Sequence, residues 1–135
     1  MSPDRPALRN FVNGESVDAA DGRRSDLVDP STGEVFATAP VSGAADVDAA
    51  MAAAAAAFEQ WRDTTPSERQ LALLRIADAV ESRGKDLVQA ESQNTGKPLQ
   101  LTLDEEVPPM VDQIRFFAGA ARILEGRSTG EYMAD

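Results

Sequence analysis

The 135 residues contain no cysteine and no histidine. Without cysteine this stretch has no disulfide, no thiolate nucleophile and no thiolate metal ligand. Without histidine it also lacks the commonest general base and transition-metal ligand. Lysine is scarce, with Lys85 and Lys97 standing against eleven arginines. Basic residues as a group are outnumbered, 13 Lys and Arg against 23 Asp and Glu, for a formal net charge of −10. That balance argues against a nucleic-acid partner, because phosphate recognition requires a basic face. It is also a poor match to an anionic membrane surface. No apolar run approaches bilayer-spanning length, and the opening Met1-Ser2-Pro3-Asp4-Arg5-Pro6 has no secretory apolar core. A soluble, cytoplasmic chain with no nucleic-acid or membrane partner is therefore the expectation.

What is present reads as one small folded body over residues 9–135, behind a flexible lead-in at 1–8. Two β-hairpins come first. In Phe11-Val12-Asn13-Gly14-Glu15-Ser16-Val17, Asn-Gly sits between two short apolar pieces, and both turn residues tolerate positive φ. Asp18 to Arg24 is polar and turn-rich. Leu27-Val28 then leads into Asp29-Pro30-Ser31-Thr32-Gly33, and Glu34 to Ala39 leads out, with Pro40 ending the strand.

Four helices are expected after the hairpins. The first spans 44–61, with Ser42 as N-cap and a stripe of Val47, Met51, Ala54, Phe58 and Trp61. The second begins at Thr65-Pro66-Ser67-Glu68, a capping box with proline in the first helical position. Leu71, Leu74, Ala77 and Val80, flanked by Leu73 and Ile76, form its stripe, and Arg83-Gly84 ends it. The third, over 85–93, stops at Asn94-Thr95-Gly96-Lys97-Pro98, where Gly96 suits a left-handed residue. The fourth covers 99–124. Pro108-Pro109 should kink or restart it, and Val111, Ile114, Phe117 or Phe116, Ala121 and Leu124 supply its stripe. Residues 126–135 read as a turn and the start of a strand at Glu131-Tyr132-Met133. Helical spacing assigns Phe58, Trp61, Phe116 and Phe117 to a core, not to a ligand box.

Taken in order, these pieces resemble the N-terminal segment of the aldehyde dehydrogenase family. The series is the Asn-Gly hairpin, VDPSTGEV, an Ala-rich helix ending in Phe-x-x-Trp, TPSER…LLRIADAVE, ESQNTGKPL and DEEVPPMVDQIRFFAGAARILEG. The resemblance runs over roughly residues 8–135. Thr95, Asp104-Glu105-Glu106, Arg115 to Ala121 and Thr129 to Tyr132 are most similar to the aminoaldehyde group, which includes γ-aminobutyraldehyde and betaine aldehyde dehydrogenases.

The resemblance implies an α/β fold present only in part. The two hairpins and four helices would flank a Rossmann-like coenzyme-binding sheet whose central strands lie later in the family's chain. It implies oxidation of an aldehyde such as 4-aminobutanal to its acid with NAD or NADP, by homo-oligomeric enzymes acting on small molecules. In the family a cysteine thiolate attacks the carbonyl and a glutamate activates water. Both lie beyond the matched segment, so this chain is expected to hold no catalytic and no cofactor-binding residue and to be inactive alone.

The same resemblance assigns two sets of site residues. Glu106 and Glu105, with Asp104, fall near the family's substrate entrance, where a carboxylate attracts a cationic amine by about 1 kcal/mol in water at ~4 Å. A solvated acidic helix turn is the competing reading. Pro109 replaces a second acidic residue of some aminoaldehyde enzymes, which weakens the expected amine recognition. The Val28 carbonyl and Asn94 fall where many members hold a monovalent cation. Asn offers an oxygen but no charge in place of the usual Asp, and a helix-ending role competes. Arg115 reads as the structural partner of an acidic residue. The glycines at 119, 126 and 130 make no dinucleotide fingerprint, because strand–GxGxxG–helix context is missing. The alternative to an enzyme segment is a free-standing helical interaction module. An acidic ion-binding protein fits less well, because no DxDxDG-type loop is present.

Overall fold

A computed structural model describes residues 5–123. The element order is β1 (Asn10–Val12), β2 (Glu15–Val17), β3 (Arg24–Val28), β4 (Val35–Pro40), α1 (Ala44–Trp61), α2 (Pro66–Ser82), α3 (Gly84–Thr95), α4 (Leu99–Glu105) and α5 (Val107–Ala120). The chain divides into two compact units, Met1–Arg62 with Asn94–Gly96, and Asp63–Gln93 with Lys97–Asp135.

In the first unit, β1 and β2 pair antiparallel with Val12 opposite Glu15. Asn13 at φ 53° and Gly14 at φ 81° form the tight turn between them, the conformation that Asn-Gly favours. The second antiparallel pair, β3–β4, is closed by Asp29 to Gly33. The Asp29 carboxylate accepts the Ser31 N–H at 2.8 Å, and Gly33, at φ 75°, donates to the Asp29 carbonyl at 2.8 Å. Pairing jumps from Leu27–Ala37 to Val28–Val35, so Phe36 is the extra residue of a bulge.

The strand β3 begins at Arg24, inside the stretch expected to be turn. Arg24 explains the extension. Its guanidinium donates to the Thr38 hydroxyl at 3.0 Å, the Thr38 carbonyl at 3.1 Å, the Leu8 carbonyl and Asp18 at 3.0 Å. Of the expected lead-in 1–8, residues 6–8 run along β4, with Leu8 N–H to Thr38 O at 2.8 Å and Thr38 N–H to Pro6 O at 3.0 Å.

Helix α1 has the expected bounds but not the expected cap. Gly43, not Ser42, is the N-cap, and the Asp46 carboxylate accepts the Gly43 N–H at 2.8 Å. The Ser42 hydroxyl is taken instead by Asn10, whose amide donates to it at 2.9 Å. The α1 stripe is periodic as expected yet open. Val47, Met51, Phe58 and Trp61 are 47–65% exposed, and the helix has no buried residue. The core assignment of Phe58 and Trp61 is therefore corrected. Periodicity records a face suited to burial, whereas burial requires an element to cover it, and among the described residues none in this unit does.

The second unit is helical. Thr65 caps α2 as expected. Its hydroxyl accepts the Glu68 N–H at 3.2 Å, and the Glu68 carboxylate accepts the Thr65 N–H at 2.7 Å. The core comprises Ala77, Val88, Val107 and Val111, with Val80, Leu103 and Ile114 packed on it. Leu71 and Ile76, expected on the buried stripe of α2, are exposed. The small Ala77 is the fully buried point of α2.

The expected fourth helix is two. It breaks at Glu106 and restarts as α5 with Pro108 in its first turn, where the missing N–H costs nothing. α5 ends at Ala120 and buries Val107, Val111 and Ala118. Phe116 and Phe117, placed in the core by spacing, are instead 68% and 61% exposed. They stack edge-on with ring centroids 5.3 Å apart. Leu124 and the expected strand at 131–133 lie outside the described residues.

Candidate functional site

The break between α4 and α5 is the most chemically loaded place in the second unit. Glu106 is at once the C-cap of α4 and the N-cap of α5. It is half-buried and does not stand alone. The Lys97 ammonium donates to Glu106 Oε2 at 2.5 Å and to Glu91 Oε1 at 3.0 Å. Glu106 first and Glu91 second hold the Lys97 ammonium above its ordinary range through these hydrogen bonds. One cation thus ties the end of α3 to the α4–α5 break, and the trio carries one net negative charge.

Glu105 and Asp104 precede the break on exposed positions of α4. Asp104 accepts a hydrogen bond from the Gln100 amide at 2.6 Å, an ordinary i,i+4 helix-surface pair. Three carboxylates therefore follow one another at the break. Among the described residues, only Glu106 of the three engages a cation. Sequence reasoning missed Lys97. A pairing over six and nine residues, across a helix end, leaves no helical spacing to detect.

Val28 and Asn94 belong to the same compact unit. Val28 closes β3 and Asn94 lies in the last turn of α3. Gly96, at φ 77°, is so close to the β3–β4 turn that a β-carbon on it would meet Pro30 Cγ at 3.1 Å. The chain two residues after Asn94 thus touches the chain two residues after Val28. The two expected ligands, the Val28 carbonyl and the Asn94 amide, offer uncharged oxygens, while the neighbouring Asp29 carboxylate is engaged by the Ser31 N–H. Among the described residues, no group of three or more His, Cys, Asp or Glu could hold a metal ion.

Arg115 is the structural partner its sequence suggested. From α5 it donates to Glu81 at 2.7 Å and Asp78 at 2.9 Å on α2. Its ion pairs hold the Glu81 carboxyl below the ordinary range. Among the described residues the glycines sit in turns, at a helix cap (Gly43), at the start of α3 (Gly84) or within α5 (Gly119), and the N–H of Gly43, between β4 and α1, is taken by the Asp46 carboxylate. No described helix is long and apolar enough to cross a membrane.

The sequence profile of the aldehyde dehydrogenase family matches residues 17–134. The chain is 41% identical over 125 residues to acetaldehyde dehydrogenase 2 of Cupriavidus necator, covering 93% of this chain and 25% of that protein. It is 41% identical over 113 residues to 2-aminomuconic semialdehyde dehydrogenase of Mus musculus, covering 84% of this chain and 23% of that protein. Among solved structures, the NAD+ complex of an aldehyde dehydrogenase from Bacillus cereus superposes with a TM-score of 0.85 at 33% identity, covering 91% of this chain and 26% of that one. An NAD-dependent aldehyde dehydrogenase from Sinorhizobium meliloti gives 0.83 at 36%, covering 91% and 25%. A chain with these two hairpins and this helical unit carries part of an α/β oxidoreductase fold. It belongs to the aldehyde dehydrogenase family, and it spans about a quarter of the length of the relatives it matches.

Proposed function

We propose that this chain is the N-terminal segment of an aldehyde dehydrogenase that oxidises an amino-aldehyde such as 4-aminobutanal to its acid with NAD(P). The enzyme is a cytoplasmic homo-oligomer. The observation that carries the substrate class is the acidic run Asp104-Glu105-Glu106 at the α4–α5 break. Carboxylates at a substrate entrance favour a cationic amine over a neutral chain. Relatives are named for substrates as different as acetaldehyde, fluoroacetaldehyde and 2-aminomuconic semialdehyde, so the substrate class rests on the acidic run alone. In the first unit, the Val28 carbonyl and the Asn94 amide oxygen hold a monovalent cation. The 135 residues contain no cysteine and hence no thiolate to attack a carbonyl, so the chain alone turns over nothing.

The test has two arms. The purified chain, mixed with 4-aminobutanal and NAD, should produce no NADH absorbance. A chimera joining residues 1–135 to the remainder of the Cupriavidus relative should oxidise acetaldehyde, which demonstrates assembly. It should also show a higher kcat/KM ratio for 4-aminobutanal over butanal than the parent enzyme. A ratio equal to the parent's would overturn the amino-aldehyde reading.

A further inference from the structure

We propose that Lys97 is a specificity-determining residue: its ammonium occupies the Glu106 carboxylate, so a cationic substrate must compete with it. The inference rests on the amino-aldehyde reading for the identity of the competing group.

The geometry is direct. Lys97 Nζ lies 2.5 Å from Glu106 Oε2 and 3.0 Å from Glu91 Oε1. A lysine ammonium and the terminal ammonium of an aminoalkyl aldehyde are the same chemical group, and each offers three donors to the same oxygens. Side-chain exposures of 35% for Lys97 and 42% for Glu106 leave the pair reachable from solvent. An ion pair this accessible is weak enough to exchange with a solute. The charge arithmetic sets the direction. With Lys97 the trio of Glu91, Lys97 and Glu106 carries one net negative charge. Without it the same place carries two. Lys97 thus makes the entrance tolerant of neutral aldehydes at the expense of charged ones.

The experiment uses the whole 135-residue chain and n-butylammonium chloride as probe, read by the side-chain carboxyl 13C shift of Glu106 at constant ionic strength. Lys97→Met should bind the probe up to about fivefold more tightly than the parent chain, the upper range an exposed ion pair is worth. Lys97→Arg, which retains the cation, should bind like the parent. Lys97→Met with Glu106→Gln should lose the gain. Lys97→Gln repeats the measurement should Lys97→Met melt below the working temperature by circular dichroism. Equal probe affinity in parent, Lys97→Met and Lys97→Gln would overturn the proposal, as would a gain that survives Glu106→Gln. A purely structural role for Lys97 would shift melting without changing probe affinity. The substrate ratio of the chimera is read separately, so failure of the amino-aldehyde reading is distinguishable from failure here.

Discussion

Gly84 and Val107 are in near contact: a β-carbon built on Gly84 would lie 3.2 Å from Val107 Cγ1 and 3.8 Å from Leu103 Cδ1. Val107 is only 8% exposed and belongs to the core of the helical unit, so it has little room to yield. Gly84→Ala should therefore destabilise by about 1–2 kcal/mol through overpacking, despite alanine's better helix propensity. Gly119 is the internal control. It lies within α5 with nothing within 4 Å of a β-carbon. Gly119→Ala should stabilise by about 0.5–1 kcal/mol. Urea unfolding of both variants, followed by circular dichroism, checks the opposite signs.

The Thr65–Glu68 box makes a second pair of predictions. Thr65→Ala removes the acceptor for the Glu68 N–H and should cost about 1 kcal/mol. Glu68 also titrates. The Thr65 backbone N–H first, and the Thr65 hydroxyl second, hold its carboxyl below the ordinary glutamate range. A carboxyl depressed in the folded state contributes stability above its unfolded pKa, and that contribution fades as pH falls through the lower folded value. Parent stability should thus fall more steeply than that of Glu68→Gln on acidification below the ordinary glutamate range. Melting curves at stepped pH would show parallel lines if the box does not form.

These two sites also mark what could be read in advance. Thr65-Pro66-Ser67-Glu68, Asn13-Gly14, Gly33 and Gly96 act through their own backbone and nearest neighbours, so local chemistry determined them. Ser42 misled because two residues competed for one cap, and the Asp46 carboxylate reached Gly43 while Asn10 claimed Ser42. The stripes of α1 and of Phe116-Phe117 were legible as periodicity. Their exposure was not, because burial depends on elements these residues do not meet among the described residues. At the candidate site, the acidic run was visible from the start. Lys97's grip on Glu106 was not, since only the folded α3–α4–α5 joint brings them together.

The apolar side chains left open on each unit predict the behaviour of the isolated chain. Trp61 is the single tryptophan and is 47% exposed, so its emission reports the open face of α1 directly. It should be red-shifted and quenched readily by iodide. Phe116 and Phe117 are more exposed still. Replacing both with serine should cut binding of an apolar dye and raise solubility, with a stability loss below about 1 kcal/mol. Val111→Ala, in the core at 3% exposure, should instead cost about 2 kcal/mol. A blue-shifted, protected Trp61 would mean that the chain covers α1 with itself or with a second copy.

Asn94 tests the cation proposal by a sign reversal. Asn94 lies in the last turn of α3, where backbone carbonyls already present negative charge. In choline chloride, Asn94→Asp should therefore destabilise by about 0.3–1 kcal/mol. If the Val28 carbonyl and residue 94 share a monovalent ion, the added carboxylate should bind it more tightly, and a ligand that binds only the folded state raises stability with its concentration. Asn94→Asp should then recover its loss in sodium or potassium chloride, while the parent gains less. Choline at matched ionic strength is the necessary reference, because a chain of net charge −10 is stabilised by screening in any salt. Melting temperatures that rise equally in choline, sodium and potassium for both proteins would leave Asn94 as a helix-ending residue and nothing more.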